Sequence, residues 1–202
     1  MENSLKMLDV DYVDLYQIHG WNPEYPIEES METMQLLQKQ GKTRFIGVSN
    51  FNANQMSRAL QTAKFESNQP RYNMFDREIE LEDINFCEQS GIGILAHSPL
   101  AKGLLTGRYK PGFQFPDDDE RSNYHRFQGK LFTQYLTIAE DLKQIAHQKG
   151  INLVQFSVAW ALRLPAISCV LVGAKTPDQV REHTVVETPS AWLDTMHAAV
   201  FR

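Results

Sequence analysis

The sequence predicts an α/β fold in which parallel strands alternate with helices. Short apolar, β-rich runs recur along the chain, and most are followed by a segment with helical periodicity. The turns between strands and helices are short, which favours parallel strands joined by right-handed crossovers. Five strands are expected, and they fit either an open doubly wound sheet or an arc of an eight-stranded barrel. No GxGxxG follows the first strand, which disfavours a dinucleotide-binding Rossmann domain.

The N-terminal half contains three predicted strands, each followed by a predicted helix. The strands are expected at residues 12–18, 43–50 and 67–73, and the helices at 26–41, 52–63 and 81–91. Pro26 suits the first turn of the first helix, Gly41 suits its end, and Asn52 is the candidate N-cap of the second.

The C-terminal half contains two further predicted strands and four predicted helices. The strands are expected at 92–100 and 167–174, and the helices at 136–150, 152–164, 176–183 and about 190–201. Residues 101–130 are rich in Gly, Pro and acidic side chains, which is typical of a long loop that is functional or mobile. We expect the acidic run at 116–120 to be solvated.

Composition and charge disfavour several classes of function. A formal net charge of -5 provides no positive field for nucleic acid or acidic membranes. Cys87 and Cys169 lie far apart without metal-ligand spacing, so we expect neither a disulfide framework nor a metal site. The start is not that of a signal peptide, and no apolar run is long enough to span a membrane, so the expected location is the cytoplasm.

Polar side chains mark the ends of the predicted strands. They are His19, the pair Ser49 and Asn50, Gln69, the run from His97 to Leu100, and the run from Gly173 to Lys175. Since parallel strands end at one edge of a sheet or barrel, these groups are expected to form a rim that suits a polar cofactor.

The last strand end resembles an anion site. Thr176 is a candidate N-cap, Pro177 occupies the first helical position and Gln179 the third, which is the spelling of a capping box. Free N–H groups, the helix dipole and Lys175 would together favour a phosphate. The alternative is a well-capped helix beside a surface lysine.

Five segments in order resemble successive landmarks of the aldo-keto reductases. They are SLKMLDVDYVDLYQIHGWNP, PIEESMETMQLLQKQGKTRFIGVSNF, SNQPRYNMFDRE, GIGILAHSPLAKGLLTGRY and VLVGAKTPDQVRE. The resemblance implies a TIM (β/α)8 barrel that binds NADP(H) and transfers hydride between nicotinamide and the carbonyl carbon of a small aldehyde or ketone. It covers nearly the whole chain, so residues 1–202 are expected to form one such domain.

The resemblance also assigns site residues. His19 matches the active-site histidine, which orients the substrate carbonyl oxygen. Ser49, Asn50 and Gln69 match residues that hold the nicotinamide carboxamide, and His97 stands where a Tyr or Trp usually stacks on the ring. The other matches are Ser98, Leu100, Lys102 and Gly103 in the pyrophosphate-covering loop, Lys175 and Thr176 at the 2′-phosphate, Gln179 and Glu182 near the adenosine, and Gly173 at the preceding strand end.

Three departures from the family pattern bear on activity. His97 is smaller than the usual stacking residue, and His183 replaces an Asn that usually touches adenine. The first strand here matches the fourth of the family, so the first three βα units and their proton-donating Tyr, with its Asp and Lys partners, are missing from these 202 residues. We therefore expect an N-terminally truncated, partial barrel with little or no reductase activity.

Two other interpretations stay open at this point. The chain could be a cofactor-binding or regulatory module without catalysis, as the aldo-keto-reductase-like subunits of potassium channels suggest by analogy of fold. Open sheet edges could also pair with a second copy or a partner chain. An unrelated flavodoxin-like protein would require the match of five motifs to be coincidence.

Overall fold

Five strands and seven α-helices follow one another in residues 1–184, the part of the chain that the computed structural model describes. The strands are β1 (Val13–Ile18), β2 (Thr43–Ser49), β3 (Ser67–Gln69), β4 (Gly93–His97) and β5 (Ile167–Leu171). The helices are α1 (Glu2–Leu8), α2 (Ile27–Lys39), α3 (Ala53–Thr62), α4 (Asp83–Ser90), α5 (Gly129–Gln148), α6 (Leu153–Ala161) and α7 (Pro177–Thr184). Short 3₁₀ helices occupy Glu78–Glu80, Ala101–Thr106, Glu120–Asn123 and His125–Phe127. The helix expected at about 190–201 lies outside the described residues.

The five strands form one sheet in the order β1-β2-β3-β4-β5. The pairings of β1 with β2, β2 with β3 and β3 with β4 are all parallel. Ser49, the last residue of β2, stands opposite Gln69, the last residue of β3. The prediction of parallel strands that end at a common edge is therefore confirmed for β1 to β4.

Strands β3, β4 and β5 are each shorter than predicted by three or more residues, and β3 and β4 end for local reasons. Strand β3 stops at Gln69 because Pro70, which follows it, has no N–H to donate to a ladder. Strand β4 stops at His97 because Ser98 has φ of 57°, in the left-handed region. Both strands therefore end beside the polar residues that the sequence placed there.

Two helices differ from the prediction. Helix α1 was not expected, and its sequence gives little signal because Leu5 is its only buried residue. Helix α5 begins at Gly129 rather than at residue 136. Its buried stripe already starts at Phe132 and continues through Leu136, Ala139, Leu142 and Ala146, at helical spacing.

Close contacts divide the described residues into two units. The first unit comprises residues 1–71, 78–97 and 165–169, and the second comprises 72–77, 98–164 and the residues from 170 onward. In the first unit, strands β2 and β4 bury Ile46, Val48 and Ile94. At Gly47 an added Cβ would lie 2.4 Å from Ser67 Oγ, so neighbouring strands approach there too closely for any side chain.

The second unit is built around aromatic side chains. Trp160 of α6 lies with its ring centroid 5.1 Å from that of Tyr72, and both are fully buried. A second aromatic cluster joins the 101–130 segment to α5 and consists of Tyr109, Phe113, Phe115, Phe127 and Phe132. This segment therefore has a hydrophobic anchor of its own.

Candidate functional site

The first unit brings together five residues that the sequence analysis singled out. They are His19 after β1, Ser49 and Asn50 at the end of β2, Gln69 at the end of β3 and His97 at the end of β4. We call this group the strand-end cluster. Hydrogen bonds link its members, so residues at the ends of neighbouring strands are in direct contact.

Asn50 is the hub of the strand-end cluster. Its Nδ2 donates to the backbone oxygen of His19 at 3.2 Å and to Ser49 Oγ at 3.1 Å. Its Oδ1 lies 2.9 Å from His97 Nε2. Asn50 has φ of 57°, a conformation that Asn tolerates better than most residues, so the backbone there also selects this residue type.

The amide of Asn50 determines which nitrogen of His97 carries a proton. The carbonyl of His19 can only accept, so the group facing it must be the Asn50 NH2. The other end of the amide is then the acceptor Oδ1, and His97 Nε2 must donate a proton to it.

Ser49 and Gln69 fix the middle of the strand-end cluster. The buried hydroxyl of Ser49 donates to the backbone oxygen of Gln69 at 2.7 Å, and the Asn50 N–H donates to the same oxygen at 3.2 Å. The backbone N–H of His97 donates to the Pro70 carbonyl at 2.9 Å. The ends of β2, β3 and β4 are therefore held in one register.

His19 itself is exposed and follows β1 directly. The neighbouring Trp21 is fixed by an indole N–H that donates to the Tyr25 backbone oxygen at 2.8 Å. The guanidinium of Arg58 lies 5.9 Å from the centre of the indole ring and also forms an ion pair with Glu28 at 3.0 Å. The chain after His19 is thus an ordered surface loop.

Gln17, which no sequence motif indicated, contacts the strand-end cluster from inside β1. Its Oε1 accepts from Gln69 Nε2 at 2.7 Å. Its own Nε2 donates to Ser67 Oγ at 3.0 Å and to the Val48 backbone oxygen at 3.3 Å. The available signal was an amide side chain between Tyr16 and Ile18, two residues before His19.

The second unit contains the remaining predicted site residues. Lys102, in a left-handed conformation with φ of 55°, lies in the 3₁₀ segment that follows Ser98 and Leu100. Its Nζ contacts Glu120 Oε1 at 2.5 Å and lies 4.5 Å from the ring centre of Tyr124. Desolvation alone would lower the pKa of Lys102, but the hydrogen bonds with Glu120 and Tyr124 outweigh it and raise the pKa.

A glycine is required after Lys102. Gly103 has φ of 100°, and a Cβ there would lie 3.0 Å from the hydroxyl oxygen of Tyr109. Arg121 Nη1 donates to that same hydroxyl at 2.7 Å and to the Lys102 backbone oxygen at 3.3 Å. The turn that presents Lys102 is therefore fixed by the loop that follows it.

The acidic run at 116–120 is mostly exposed, as expected, although Asp119 is half-buried and two of the side chains form ion pairs. Asp119 forms an ion pair with Arg121 at 2.5 Å, and Glu120 forms one with Lys102. Hydrogen bonds from Arg121 hold the pKa of Asp119 well below its usual range, with a smaller contribution from the charge of Lys175.

The predicted N-cap at the start of α7 is confirmed, but the reciprocal bond of the capping box comes from Lys175 rather than from the N-cap Thr176. The Gln179 N–H donates to Thr176 Oγ1 at 3.2 Å, and the Lys175 N–H donates to Gln179 Oε1 at 2.7 Å. Glu182 Oε1 accepts from Asn152 Nδ2, the N-cap of α6, at 2.7 Å. Thus Gln179 and Glu182 are held by protein groups, whereas Lys175 and Gly173 are exposed.

The described residues contain neither a metal-ligand cluster nor a helix that could span a membrane. Residues 1–184 contain no group of three or more His, Cys, Asp or Glu side chains that could hold a metal ion. No helix in the same range is both long and apolar enough to cross a bilayer.

The geometry and the motifs agree with a comparison against known proteins. The sequence model of the Aldo/keto reductase family matches residues 1–188. The chain therefore belongs to the aldo/keto reductase family.

The chain is also similar to individual aldo/keto reductases and to related proteins. It is 39% identical over 181 residues to an aldo-keto reductase of Bacillus subtilis, covering 89% of this chain and 55% of that protein. It is 35% identical over 190 residues to a probable voltage-gated potassium channel subunit beta of Arabidopsis thaliana, covering 89% and 58%. The solved structure of a glycerol dehydrogenase from Gluconobacter oxydans superposes with a TM-score of 0.88 at 33% identity, covering 98% of this chain and 61% of that one. The chain thus spans little more than half the length of these relatives.

Proposed function

We propose that this chain carries the NADP(H) contacts and the active-site histidine of an oxidoreductase that reduces small aldehydes or ketones to alcohols. The observation that carries the proposal is the strand-end cluster, in which side-chain amides and a hydroxyl converge at the carboxyl edge of a parallel sheet. This edge is where sheets of this type bind polar ligands.

The strand-end cluster fits the carboxamide of nicotinamide. The NH2 of a carboxamide offers two donors, so its site needs hydrogen-bond acceptors. Within residues 1–184, Gln69 Oε1 receives no hydrogen bond, and Asn50 Oδ1 accepts from His97 while keeping a second lone pair. These two oxygens are the acceptors we assign to the carboxamide NH2, with the Ser49 hydroxyl beside them.

We assign His19 to the substrate. The cofactor, when bound, supplies or accepts the hydride. His19 is exposed, and an imidazole N–H can donate to a carbonyl oxygen and so hold it in one orientation. The ordered loop at Trp21 would limit how a carbonyl compound approaches His19.

The second unit supplies the groups that we assign to the phosphates. The start of α7 offers the positive end of the helix dipole, and the exposed Lys175 directly precedes the N-cap Thr176. Lys102 is assigned to the pyrophosphate, and its present partner is Glu120. A 2′-phosphate on Lys175 and Thr176 would favour NADP(H) over NAD(H).

We further propose that a protein made of these 202 residues alone has little or no carbonyl reductase activity. Reduction of a carbonyl needs a proton donor for the developing alkoxide, in the family a Tyr whose pKa a Lys lowers. The support is that none of the five segments that resemble the family carries the matching Tyr, Lys and Asp, so we assign the proton donor to no described residue. In the same proposal the five strands are an arc of the family's barrel.

The test is to measure binding and turnover on the same preparation. We expect saturable quenching of tryptophan fluorescence by NADPH, weaker saturation by NADH, and no NADPH oxidation above background with a generic aldehyde. Rapid turnover would overturn the inactivity proposal but support the family reaction. Absence of binding at millimolar NADPH would contradict the cofactor assignment.

A second candidate function is a regulatory or interaction module that binds cofactor without catalysis. Its support is the similarity to a protein named as a probable potassium channel subunit beta. Sheet edges offer a further means of interaction, since β1 lies at one end of the strand order and Tyr12 and Phe45 are about half exposed. Size-exclusion chromatography with light scattering separates the cases: a stable monomer would contradict self-association through β1.

A further inference from the structure

Gln17 is an amide side chain inside β1 that contacts no residue assigned to the substrate. Its neighbours in the strand are apolar, and its side chain is half-buried. Its hydrogen bonds run to Val48 and Ser67 on one side and to Gln69 on the other. The Gln17 amide is therefore fixed by hydrogen bonds to Val48 and Ser67, and it restricts the orientation of the Gln69 amide.

The orientation of both amides follows from one backbone carbonyl. The oxygen of Val48 can only accept, so the Gln17 atom at 3.3 Å from it must be the NH2 nitrogen. The other end of the Gln17 amide is then an oxygen, and the Gln69 atom at 2.7 Å from that oxygen must be a nitrogen. The Gln69 carbonyl oxygen is therefore the end that Gln17 leaves unengaged.

We propose that Gln17 is a positioning residue of the nicotinamide site, holding the Gln69 amide so that its oxygen is presented to the cofactor carboxamide. This inference rests on the proposed function. An inverted Gln69 amide would set an NH2 against the NH2 of the carboxamide, which loses the hydrogen bond and leaves two donors facing each other. Gln17 prevents that inversion without itself touching the cofactor.

The test compares Gln17→Met with a matched substitution elsewhere in the first unit. Methionine has a similar length and makes no strong hydrogen bond, so it removes the hold on Gln69 with little change in volume. The control is Gln38→Met, because Gln38 also donates to a backbone carbonyl, that of Arg44 at 2.9 Å, but lies on α2. Two probes are used, NADP+ and 2′,5′-ADP, which lacks the nicotinamide.

We expect Gln17→Met to weaken NADP+ binding by about fivefold to tenfold, the usual effect of one hydrogen bond. Binding of 2′,5′-ADP should be unchanged, and Gln38→Met should change neither affinity. Unchanged NADP+ binding by Gln17→Met would overturn the inference. So would an equal loss for both probes, since that result indicates a merely structural role.

A double-mutant cycle tests whether Gln17 acts through Gln69. In a Gln69→Met background, Gln17→Met should have no further effect on NADP+ affinity, and an additive loss would overturn the inference. If Gln17→Met fails to fold, Gln17→Glu serves instead, because a carboxylate still accepts from Gln69 Nε2. The NADP+ affinity of Gln17→Glu should lie nearer to that of the wild type than the affinity of Gln69→Met does, and the reverse order would contradict the inference.

Wild-type protein that binds 2′,5′-ADP but not NADP+ would overturn this inference, whereas binding of neither probe would overturn the proposed function and the inference with it.

Discussion

Substitution of Glu120 by Gln should strengthen cofactor binding while slightly weakening the fold. Glu120 is the carboxylate that pairs with Lys102, the lysine assigned to the cofactor pyrophosphate. An incoming pyrophosphate must therefore compete with a charge that the chain itself supplies. Removing that charge leaves Lys102 in place and removes its competitor.

The size of the effect follows from the exposure of the pair. The Lys102 side chain is 29% exposed and that of Glu120 is 67% exposed, so solvent screens much of their attraction. Exposed ion pairs of this kind contribute about 0.2–1 kcal/mol. Glu120→Gln should therefore tighten NADP+ binding by up to about fivefold and destabilise folding by no more than about 1 kcal/mol.

Isothermal titration calorimetry at low salt gives the affinities, and urea unfolding gives the stabilities. The control is Glu140→Gln, which removes the exposed pair of Glu140 with Lys143 at 3.3 Å on α5. It should lose a comparable stability without any gain in affinity. Weaker or unchanged NADP+ binding by Glu120→Gln would refute the idea that Glu120 competes with the cofactor.

Three further predictions concern stability and reactivity. Arg126→Met should lower the free energy of unfolding by about 3 kcal/mol in urea, because the buried carboxylate of Asp76 loses its bidentate partner. A loss below about 1 kcal/mol would contradict a buried pair. Gly47→Ala should lower the free energy of unfolding by about 1–3 kcal/mol, since the new methyl group would meet the Oγ and backbone oxygen of Ser67. An unchanged melting temperature would contradict this, because it would show that the two strands can move apart. Burial raises the pKa of Cys87 to about 12, so iodoacetamide at pH 8 should label this thiol only after the protein unfolds. Rapid labelling of Cys87 in the folded protein would contradict its burial.

The sequence was most informative where local chemistry determines structure. The N-caps at Asn52 and Thr176 both form, because each depends on groups within three residues of one another. The strand ends were also predictable, since polar residues interrupt apolar runs at His19, Asn50 and His97. Parallel pairing then brings those ends together.

The sequence was least informative where contacts join distant residues. Gln17 reaches Gln69 across the sheet, and no spacing along the chain indicates that contact. Glu120 is exposed as expected, but the sequence did not indicate its ion pair with Lys102, because a long irregular segment separates the two residues. Helix α5 begins early because Phe132 packs on the loop aromatics Tyr109, Phe115 and Phe127, which a periodicity read from residue 136 does not include.

The central claim is that the strand-end cluster binds the nicotinamide carboxamide. The most direct measurement is a calorimetric titration of NADP+ into the wild-type chain and into Asn50→Gly, where glycine tolerates φ of 57° and only the side chain is lost. Saturable binding to the wild type that weakens about tenfold in the variant, with 2′,5′-ADP binding unchanged, is the predicted result. Equal NADP+ affinity of the two proteins would contradict the claim.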